Sequence, residues 1–345
     1  MYVAGRPRGS ERDESRAAPR AWHARGVAVP LEIVVVSYRA PEALRATLDA
    51  LARHACDVPV TLVETGPAAT WTASPHARLR RVRAPNHSYA HAVNVGLRAT
   101  AAPLVATMNA DVVIGPDTLT RLAAAFGDPR VVAAGPVART PGGTVQDQGW
   151  PYRRHHARLR RAIARRGAAR AWVSVPWLSG CLLVVRREAL ARVGGMDPRL
   201  RFYNEDLEWC RRLRAAGGRC ALVATEVVHL GGAATPRDPR FQFEGLRGGY
   251  QLTRRAAPPI VRWLHRWGVA AVAAVAARAV GDPRSRASWA EVARRFAAND
   301  LDDSPFGPTL DGPLEAEAEA PAARLRTGRS GSAPLSPPPR ARAGR

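Results

Sequence analysis

The sequence predicts an α/β protein with a mainly parallel central sheet, and three observations support that fold class. Short apolar segments typical of strands alternate with segments that have the three- and four-residue apolar spacing of helices. The first apolar segment, LEIVVVS at 31–37, is continuous, which is typical of a strand buried on both faces of a sheet. The chain has 345 residues, of which 46% are hydrophobic, so it can bury a sizeable core.

The elements then follow one another in this alternating order. Pro41 suits the first turn of a helix whose Leu44, Leu48 and Leu51 share one face. Apolar segments predict further strands at 58–64, 79–83, 103–108, 131–135, 181–186, 219–224 and 226–230. Periodic segments predict further helices at 88–100, 116–126, 188–193, 251–280 and 285–298. We interpret residues 139–172 as an Arg-rich loop with a short helix.

Composition divides the chain into four parts. Residues 1–29 are polar and predict a disordered leader. Residues 30–250 contain the α/β domain, and residues 251–300 form a C-terminal helical extension. Residues 301–345 are rich in Pro, Ala, Glu and Arg, which predicts a disordered tail.

Basic residues are distributed unevenly along a chain whose formal net charge is +23. Residues 153–170 contain eight Arg and no acidic residue, and residues 237–286 contain ten Arg against three acidic residues. Such patches suit an anionic partner, which can be a diphosphate, an acidic membrane surface or a nucleic acid. A solvated surface without a partner explains them equally well, so both interpretations remain open.

Cysteine usage and the N-terminal residues indicate a cytoplasmic location. The four Cys show no C-x-x-C metal spacing, which predicts reduced thiols. The N-terminal residues contain no apolar signal segment, and the longest strongly apolar run, 268–277, is too short to span a bilayer. We therefore expect a cytoplasmic protein that can associate peripherally with the cytoplasmic face of the membrane.

Two adjacent carboxylates, Glu205 and Asp206, begin an amphipathic helix whose Leu207, Cys210 and Leu213 share one face. The dipole and the free N–H groups of a helix N-terminus favour an ionised carboxylate. A positioned, ionised carboxylate can act as a general base. Helix capping explains the same two residues equally well, so this stretch alone leaves both roles open.

Polar side chains also occur where the predicted strands end. They are Ser37, Tyr38, Glu64, Asn109 and Asp111. In open α/β sheets, ligands bind in the crevice outside the carboxyl ends of the strands. We therefore expect these side chains to surround a common site.

Five stretches together resemble the family 2 inverting glycosyltransferases with the GT-A fold, and they are closest to the rhamnosyltransferase-like branch. The stretches are EIVVVSYRAPEALRATLDAL from Glu32, NHSYAHAVNVGLRAT from Asn86, MNADVVIGPDTL from Met108, LSGCLLVVRREALARVGGMDPRLRFYNEDLEWCRRLRAAGGRC from Leu178, and EVVHLGG from Glu226. Their order and spacing match the family over about residues 31–235. The resemblance implies a GT-A domain at 30–250 and transfer of a sugar from a nucleotide-diphosphate sugar to an acceptor hydroxyl, in cell-surface polysaccharide or glycolipid synthesis.

The resemblance also implies roles for individual residues in this transfer. Asp206 matches the catalytic base of the family, and Glu205 would position the acceptor or tune Asp206 through its like charge. Asp111 matches the surviving carboxylate of the metal-binding DxD motif, which here reads Asn109-Ala110-Asp111. A divalent cation, Mg²⁺ or Mn²⁺, would neutralise the leaving diphosphate there, and His229 would be a further metal ligand.

The nucleotide-sugar side of the site departs from the family pattern. Ser37, Tyr38, Glu64, Asn94 and Asn109, together with Asp111, are expected to contact the donor. Glu64 stands where the family usually has Asp, which leaves the base of the donor open among dTDP-, UDP- and GDP-sugars. A lipid-linked glycan is the expected acceptor, since polysaccharide-building relatives act at membranes.

Three other functions compete with this assignment. The Arg patches suggest a nucleic-acid-binding protein, although no aromatic residues are interleaved with them in a recognisable binding motif, so no nucleic-acid partner is expected. The fold class also suits a nicotinamide oxidoreductase, but no G-x-G-x-x-G follows the first strand. A catalytically degenerate glycosyltransferase is the third, motivated by Asn109 and Glu64 and opposed by the retained Asp111 and Asp206.

The segment 251–280 suggests where an anionic membrane would bind. It combines Arg254, Arg255, Arg262 and Arg266 with Trp263, Leu264 and Trp267. Basic residues attract a helix to anionic lipid, and Trp and Leu bury at the interface. Packing of the same helix on the catalytic domain is the alternative, and the sequence allows different faces to serve both purposes.

Overall fold

A computed structural model describes residues 30–66, 76–146, 152–231 and 238–307. The predicted leader at 1–29 and most of the predicted tail, residues 308–345, lie outside these ranges. In the described residues, strands and helices alternate as the sequence predicts. The strands are β1 (Leu31–Ser37), β2 (Val60–Glu64), β3 (Leu79–Arg83), β4 (Leu104–Asn109), β5 (Val112–Ile114), β6 (Val131–Arg139), β7 (Trp172–Val175), β8 (Leu182–Arg186) and β9 (Arg219–His229).

The helices flank this set of strands and continue beyond it. They are α1 (Pro41–His54), α2 (Tyr89–Arg98), α3 (Thr118–Ala124), α4 (Tyr152–Arg166), α5 (Arg187–Val193), α6 (Glu205–Ala215), α7 (Pro239–Ala256), α8 (Pro259–Ala279) and α9 (Pro283–Ala298). Helix α1 has Pro in its first turn and buries Leu44, Leu48 and Leu51, as its apolar spacing predicts.

The strands of the described residues form one nine-stranded sheet, in the order β3-β2-β1-β4-β8-β6-β9-β5, with β7 paired to β9. Pairing is parallel from β3 to β4 and between β6 and β9, but β8 runs antiparallel to both of its neighbours. The β5 and β7 pairings with β9 are also antiparallel. The sheet is therefore mixed: its longest ladders are parallel, as expected, and β5, β7 and β8 add antiparallel pairings.

Apolar side chains cover both faces of the sheet. One buried cluster joins Leu44, Leu48 and Leu51 of α1 to the strands, and the other joins Val93 of α2 and Trp209 of α6 to the opposite face. Alternate residues of β1 enter different clusters, which is why its apolar run is unbroken.

Some elements differ from their predictions. The Arg-rich region includes a 15-residue helix, α4, which is longer than the short helix expected. The two predicted strands at 219–224 and 226–230 are one strand, β9, whose register against β6 shifts between Gly135 and Val137. The short strands β5 and β7 were not predicted, because each offers only three or four residues of pattern.

The C-terminal helices α7, α8 and α9 form a third apolar cluster that includes Phe243, Tyr250 and Phe296. Helix α7 is continuous across the domain boundary predicted at 250/251. The division of the chain into a catalytic domain and a C-terminal extension at that point stays a prediction. Within the described ranges, none of the helices combines the length and the hydropathy that a membrane crossing requires.

Helix α8 exposes apolar side chains on the face opposite its packing contacts. It buries Ala270 and Ala273, whereas Ile260, Leu264 and Val275 are more than half exposed. The four arginines expected to attract lipid make internal contacts instead. Arg254 and Arg255 pair with Asp302 and Asp197, and Arg262 and Arg266 donate to the carbonyls of Ala257, Phe296 and Ala297.

Candidate active site

A cavity of about 420 Å³ lies at the edge of the sheet where β1 and β4 end. Its lining brings together both carboxylates of the α6 N-terminus and the Asn109-Ala110-Asp111 turn. The polar residues of the lining are Tyr38, Thr65, Asn86, Ser88, Tyr89, Asn109, Asp111, Ser179, Glu205, Asp206 and His229.

The antiparallel strand β8 contributes its beginning to this cavity. Because β8 runs opposite to β4, the residues that precede it, Ser179 and Gly180, lie beside the end of β4. The backbone N–H of Asn109 donates to the backbone carbonyl of Cys181 at 3.0 Å, which joins the end of β4 to the segment before β8. The segment that precedes β8 thereby lines the cavity at the carboxyl edge of β4, where the Gly180 backbone contacts Asp206 and Tyr89.

Asp206 is held by two backbone amides. Its Oδ2 atom accepts from the Gly180 N–H at 2.7 Å, and its Oδ1 atom accepts from the Leu207 N–H at 2.7 Å. Burial raises the pKa of Asp206, and these hydrogen bonds oppose that shift because they favour the ionised form. The carboxylate is thus oriented before a substrate binds, with lone pairs left to accept a proton.

Glu205 lies beside Asp206 in a different state. Burial, together with the neighbouring Asp206 charge, raises the pKa of Glu205 to about 8. Its Oε2 atom is buried and has no hydrogen-bond partner in the described structure. Glu205 is therefore mainly protonated at neutral pH.

An unusual turn presents the two carboxylates. Tyr203 and Asn204 have φ angles of 67° and 68°, a left-handed conformation that costs free energy in residues other than glycine. The Asn204 side chain donates to the Gly245 carbonyl of α7 at 2.8 Å. A side chain at Gly248 would meet Asn204 Nδ2 at 2.9 Å, so α7 approaches this turn closely because it has glycine there.

On the other side of the cavity, Asp111 Oδ1 and His229 Nε2 lie 3.3 Å apart. Asp111 follows β4 and His229 ends β9, and the antiparallel β5–β9 pairing brings these residues together. Asn109 Nδ2 lies 3.5 Å from the same imidazole nitrogen. All three predicted members of the metal side are therefore adjacent.

Gln146 fixes the tautomer of His229. The Gln146 Nε2 group donates to the His229 carbonyl at 3.1 Å, so its Oε1 atom faces His229 Nδ1, at 2.7 Å. Because Oε1 only accepts, Nδ1 carries a proton, and Nε2 is the ring nitrogen that faces Asp111. The 3.3 Å approach of Nε2 to the carboxylate is favourable when a proton or a metal cation lies between the two atoms.

These donors fit a divalent cation. Adjacent ligands of an octahedral ion, each about 2.1 Å from it, lie about 3 Å apart, close to the Asp111–His229 separation. Gln146 behaves as the outer partner that orients a metal-bound His. No cluster of three or more His, Cys, Asp or Glu suited to a metal occurs in the described ranges, so the remaining ligands would come from substrate oxygens and water.

Three of the predicted donor-binding residues do not line this cavity. Ser37 is buried beneath it, and Glu64 forms a bidentate ion pair with Arg81, with contacts of 2.8 and 3.0 Å. The side-chain amide of Asn94 donates to the Met196 carbonyl at 2.8 Å and accepts from the Met196 N–H at 2.9 Å. Donor binding by these three side chains stays a prediction that no contact in the cavity supports, whereas Tyr38, Asn109 and Asp111 do line the cavity.

Sequence reasoning missed three contributors. Gly180 supplies an amide to Asp206, Tyr89 donates to the Gly180 carbonyl at 3.3 Å, and Gln146 orients His229. Gly180 and Tyr89 occur in the LSGC and NHSYAH stretches, so their stretches were recognised without their roles. Gln146 lies in a region that gave no signal.

Comparisons with known proteins show which family the chain resembles. A family model described as glycosyltransferase like family 2 matches residues 29–243, which is more than half of the chain. An N-acetylglucosaminyl-diphospho-decaprenol L-rhamnosyltransferase of Mycobacterium tuberculosis is 34% identical over 155 residues, which cover 39% of this chain and 49% of the relative. The matched region thus spans about half the length of this curated relative.

Solved structures of glycosyltransferases are also similar. A mannosyltransferase from Pyrobaculum calidifontis in complex with GDP-Man and Mn²⁺ is 19% identical, with a TM-score of 0.49 over 81% of this chain and 88% of that chain. A structure of GalNAc-T7 with UDP, GalNAc and Mn²⁺ is 14% identical, with a TM-score of 0.47 over 58% of this chain and 43% of that chain.

The family match decides between the functions that the sequence left open. It does not favour a nucleic-acid-binding protein or a nicotinamide oxidoreductase, and it confirms the GT-A fold class expected from the motifs. The chain belongs to the glycosyltransferase like family 2.

Proposed function

We propose that the protein transfers a sugar from a nucleotide-diphosphate sugar to an acceptor hydroxyl with inversion at the anomeric carbon. Asp206 is the general base, which takes the proton of the acceptor hydroxyl as that oxygen attacks the anomeric carbon. The observation that carries this proposal is the pair of 2.7 Å amide contacts that orient Asp206 within the cavity that also contains Asp111 and His229.

Glu205 supports the base by staying protonated at neutral pH. A second ionised carboxylate beside Asp206 would raise the pKa of both groups, and the neutral acid avoids this repulsion. Glu205 lines the cavity and its Oε2 atom has no partner in the described structure, so its carboxyl group can hydrogen-bond the acceptor.

Asp111 and His229 would hold Mn²⁺ or Mg²⁺ together with oxygens of the donor diphosphate. Such an ion supplies Lewis-acid stabilisation of the leaving diphosphate. The imidazole ligand favours Mn²⁺ over Mg²⁺, which prefers oxygen ligands. Asn109, beside His229, is placed to hydrogen-bond the donor.

The rhamnosyltransferase relative suggests the substrates. Its name specifies transfer of L-rhamnose to a lipid-diphosphate-linked N-acetylglucosamine. By this similarity, we propose a nucleotide-linked deoxyhexose as donor and a polyprenyl-diphosphate-linked sugar as acceptor, in the synthesis of a cell-surface polysaccharide. Such an acceptor implies peripheral association with a membrane.

A binding panel followed by turnover tests the proposal. Thermal shift against dTDP-, UDP- and GDP-sugars, with and without Mn²⁺, should show metal-dependent stabilisation by one nucleotide class. Asp111→Ala should abolish that stabilisation together with turnover. Turnover that is indifferent to chelator and persists in Asp111→Ala would overturn the metal role, and absence of transfer with every donor would overturn the function.

A further inference from the structure

Helix α4 carries a row of arginines that no other part of the described chain neutralises. Arg154, Arg158, Arg161 and Arg165 follow one another at spacings of four, three and four residues, so they share one face of the helix. All four are exposed, and none forms a hydrogen bond or an ion pair through its side chain with another residue of the described ranges. We call these four residues the α4 arginine stripe.

The stripe faces outward because the opposite side of α4 is fixed to the sheet. Leu159 and Ala162 are buried in the cluster that covers the β7 and β9 side of the sheet. Helix α4 contains no acidic residue, so the arginines of the stripe repel one another, and an anion bound at the stripe would relieve that repulsion.

A groove beside the stripe is also lined by arginine side chains. It has a volume of about 340 Å³ and is lined by Arg158, Arg161, Arg165, Arg166 and Arg219, without a carboxylate in the lining. The Arg219 side chain, from β9, forms no hydrogen bond or ion pair with another described residue, although its charge acts at longer range on Asp128. Guanidinium groups in this arrangement match phosphate oxygens, which they bind through paired N–H groups.

This pattern differs from the other arginine-rich region. Arg247, Arg254 and Arg255 of α7 each pair with an acidic residue of the chain. Their charge is therefore used to hold the C-terminal helices in place. The stripe therefore differs from the segment 251–280 that the sequence suggested for lipid, because every arginine of that segment contacts either a carboxylate or a backbone carbonyl of the chain.

The orientation of α4 relates the stripe to the active site. The first half of the helix lies beside Thr225 and Glu226, near the end of β9, whereas its last turn lies beside Arg219, where β9 begins. His229 ends β9 in the active site. The stripe, about 16 Å long, therefore runs along the flank of the domain toward the catalytic edge.

We propose that the α4 arginine stripe docks the protein on the phosphate groups of an anionic phospholipid surface. This choice rests on the proposed function, because a lipid-linked acceptor reaches the active site from a membrane. An extended row of guanidinium groups complements a plane of phosphates. A single-stranded nucleic acid would also need exposed aromatic platforms, and the only aromatic residue of the groove, Trp172, is half-buried.

Vesicle co-sedimentation of the full chain tests the docking surface without any turnover. Vesicles with equal parts of phosphatidylglycerol and phosphatidylcholine should bind the protein at low salt, and binding should weaken as salt screens the charges. Replacing all four stripe residues by Gln should lower partitioning by on the order of a hundredfold. Replacing them by Lys should retain most of it, which excludes a folding defect as the cause.

A matched control removes the same charge elsewhere. Arg45, Arg53, Arg192 and Arg214 are exposed on other helices, and their replacement by Gln should leave most of the binding. Equal binding by the stripe variant, or equal losses in both variants, would overturn the assignment. Binding to pure phosphatidylcholine, which the exposed apolar residues of α8 would produce, would also overturn it.

Two further measurements separate this proposal from its alternatives. Binding of polyuridylic acid through the stripe, without vesicle binding, would assign the surface to nucleic acid instead. Turnover on a water-soluble acceptor analogue should be unchanged in the stripe variant. If that turnover is absent in the unmodified protein while vesicle binding depends on the stripe, the catalytic proposal fails and the docking surface stands.

Discussion

The Gly180 amide donates to Asp206 Oδ2 at 2.7 Å, across 26 positions of the chain. The contact exists because Gly180 precedes β8, and β8 runs antiparallel to β4. A hydrogen bond to the ionised carboxylate lowers its pKa and opposes the effect of burial. Together with the Leu207 amide, this interaction orients the proposed base and lowers its proton affinity.

Asp206→Asn should abolish transfer while the fold and donor binding persist. Asn has nearly the same shape, but it cannot accept the proton of the acceptor hydroxyl. We expect kcat to fall by about 10²–10⁴-fold, as is typical when a general base is removed. Circular dichroism and donor thermal shift provide the controls, and near-normal turnover would show that another group accepts the proton.

Gly180→Ala should displace the base without removing it. A Cβ atom at this position would lie 3.2 Å from Asp206 Cβ and 3.3 Å from Oδ2, which is closer than ordinary packing. We expect kcat to fall on the order of tenfold with little change in donor affinity.

Gly127→Ala is the matched control for this displacement, because a Cβ atom there meets nothing within 4 Å. Steady-state kinetics of both variants distinguishes displacement of the base from a general effect of the methyl group. Equal kinetics in the two variants would contradict the positioning role of Gly180.

Glu205→Gln should remove a pH dependence of stability. The pKa of Glu205 is raised in the folded protein from 4.5 to about 8, so its contribution to stability is complete below pH 4.5 and is lost as pH rises through about 8. Gln resembles the protonated acid at every pH. The free energy of unfolding of the variant, measured by urea titration, should therefore fall less than that of the unmodified protein between about pH 6 and about pH 9.

Exposed Glu188→Gln on α5 serves as the control, since its side chain is in water in both states. We expect this variant to keep the pH dependence of the unmodified protein. If Glu205→Gln also keeps the pH dependence of the unmodified protein, Glu205 is ionised in the folded state and its description as a neutral acid is wrong.

Arg247→Met should strongly destabilise the protein. Arg247 and Glu244 are fully buried and form two contacts of 2.8 and 2.9 Å, and Arg247 also donates to the Asp302 carbonyl at 3.1 Å. Removing the guanidinium leaves a buried carboxylate without its partner, which costs about 3–5 kcal/mol.

Arg294 and Glu291 have the same three-residue spacing on the exposed face of α9. Arg294→Met should cost at most about 1 kcal/mol, because that pair is solvated. Chemical denaturation of both variants measures the difference. Similar losses in the two would show that water reaches the Glu244–Arg247 pair.

Much of the domain could be predicted from the sequence, because its signals are local. The apolar run of β1 and the Pro41 start of α1 give those elements to the residue or nearly so. The sequence stretches that resemble the family placed four residues in one site, and all four line the cavity: Asp111, Glu205, Asp206 and His229.

The features that could not be predicted depend on contacts between residues that are far apart in the sequence. No local pattern shows that β8 is antiparallel, so the part played by Gly180 was not visible. Glu64 and Asn94 are polar residues near strand and helix ends. Their side chains bind Arg81 and the Met196 backbone, respectively, instead of lining the cavity. A residue type indicates what a side chain can bind and does not reveal which neighbour binds it.

The contact of Asn204 with Gly245 has a consequence for how the enzyme is made. The turn that presents Asp206 is held by α7, and α7 is held in turn by the Arg247 contact with the Asp302 carbonyl. These partners leave the ribosome only after the whole sheet has been synthesised. A nascent chain therefore contains every strand of its sheet before it contains the contacts through which α7 holds the turn that presents Asp206.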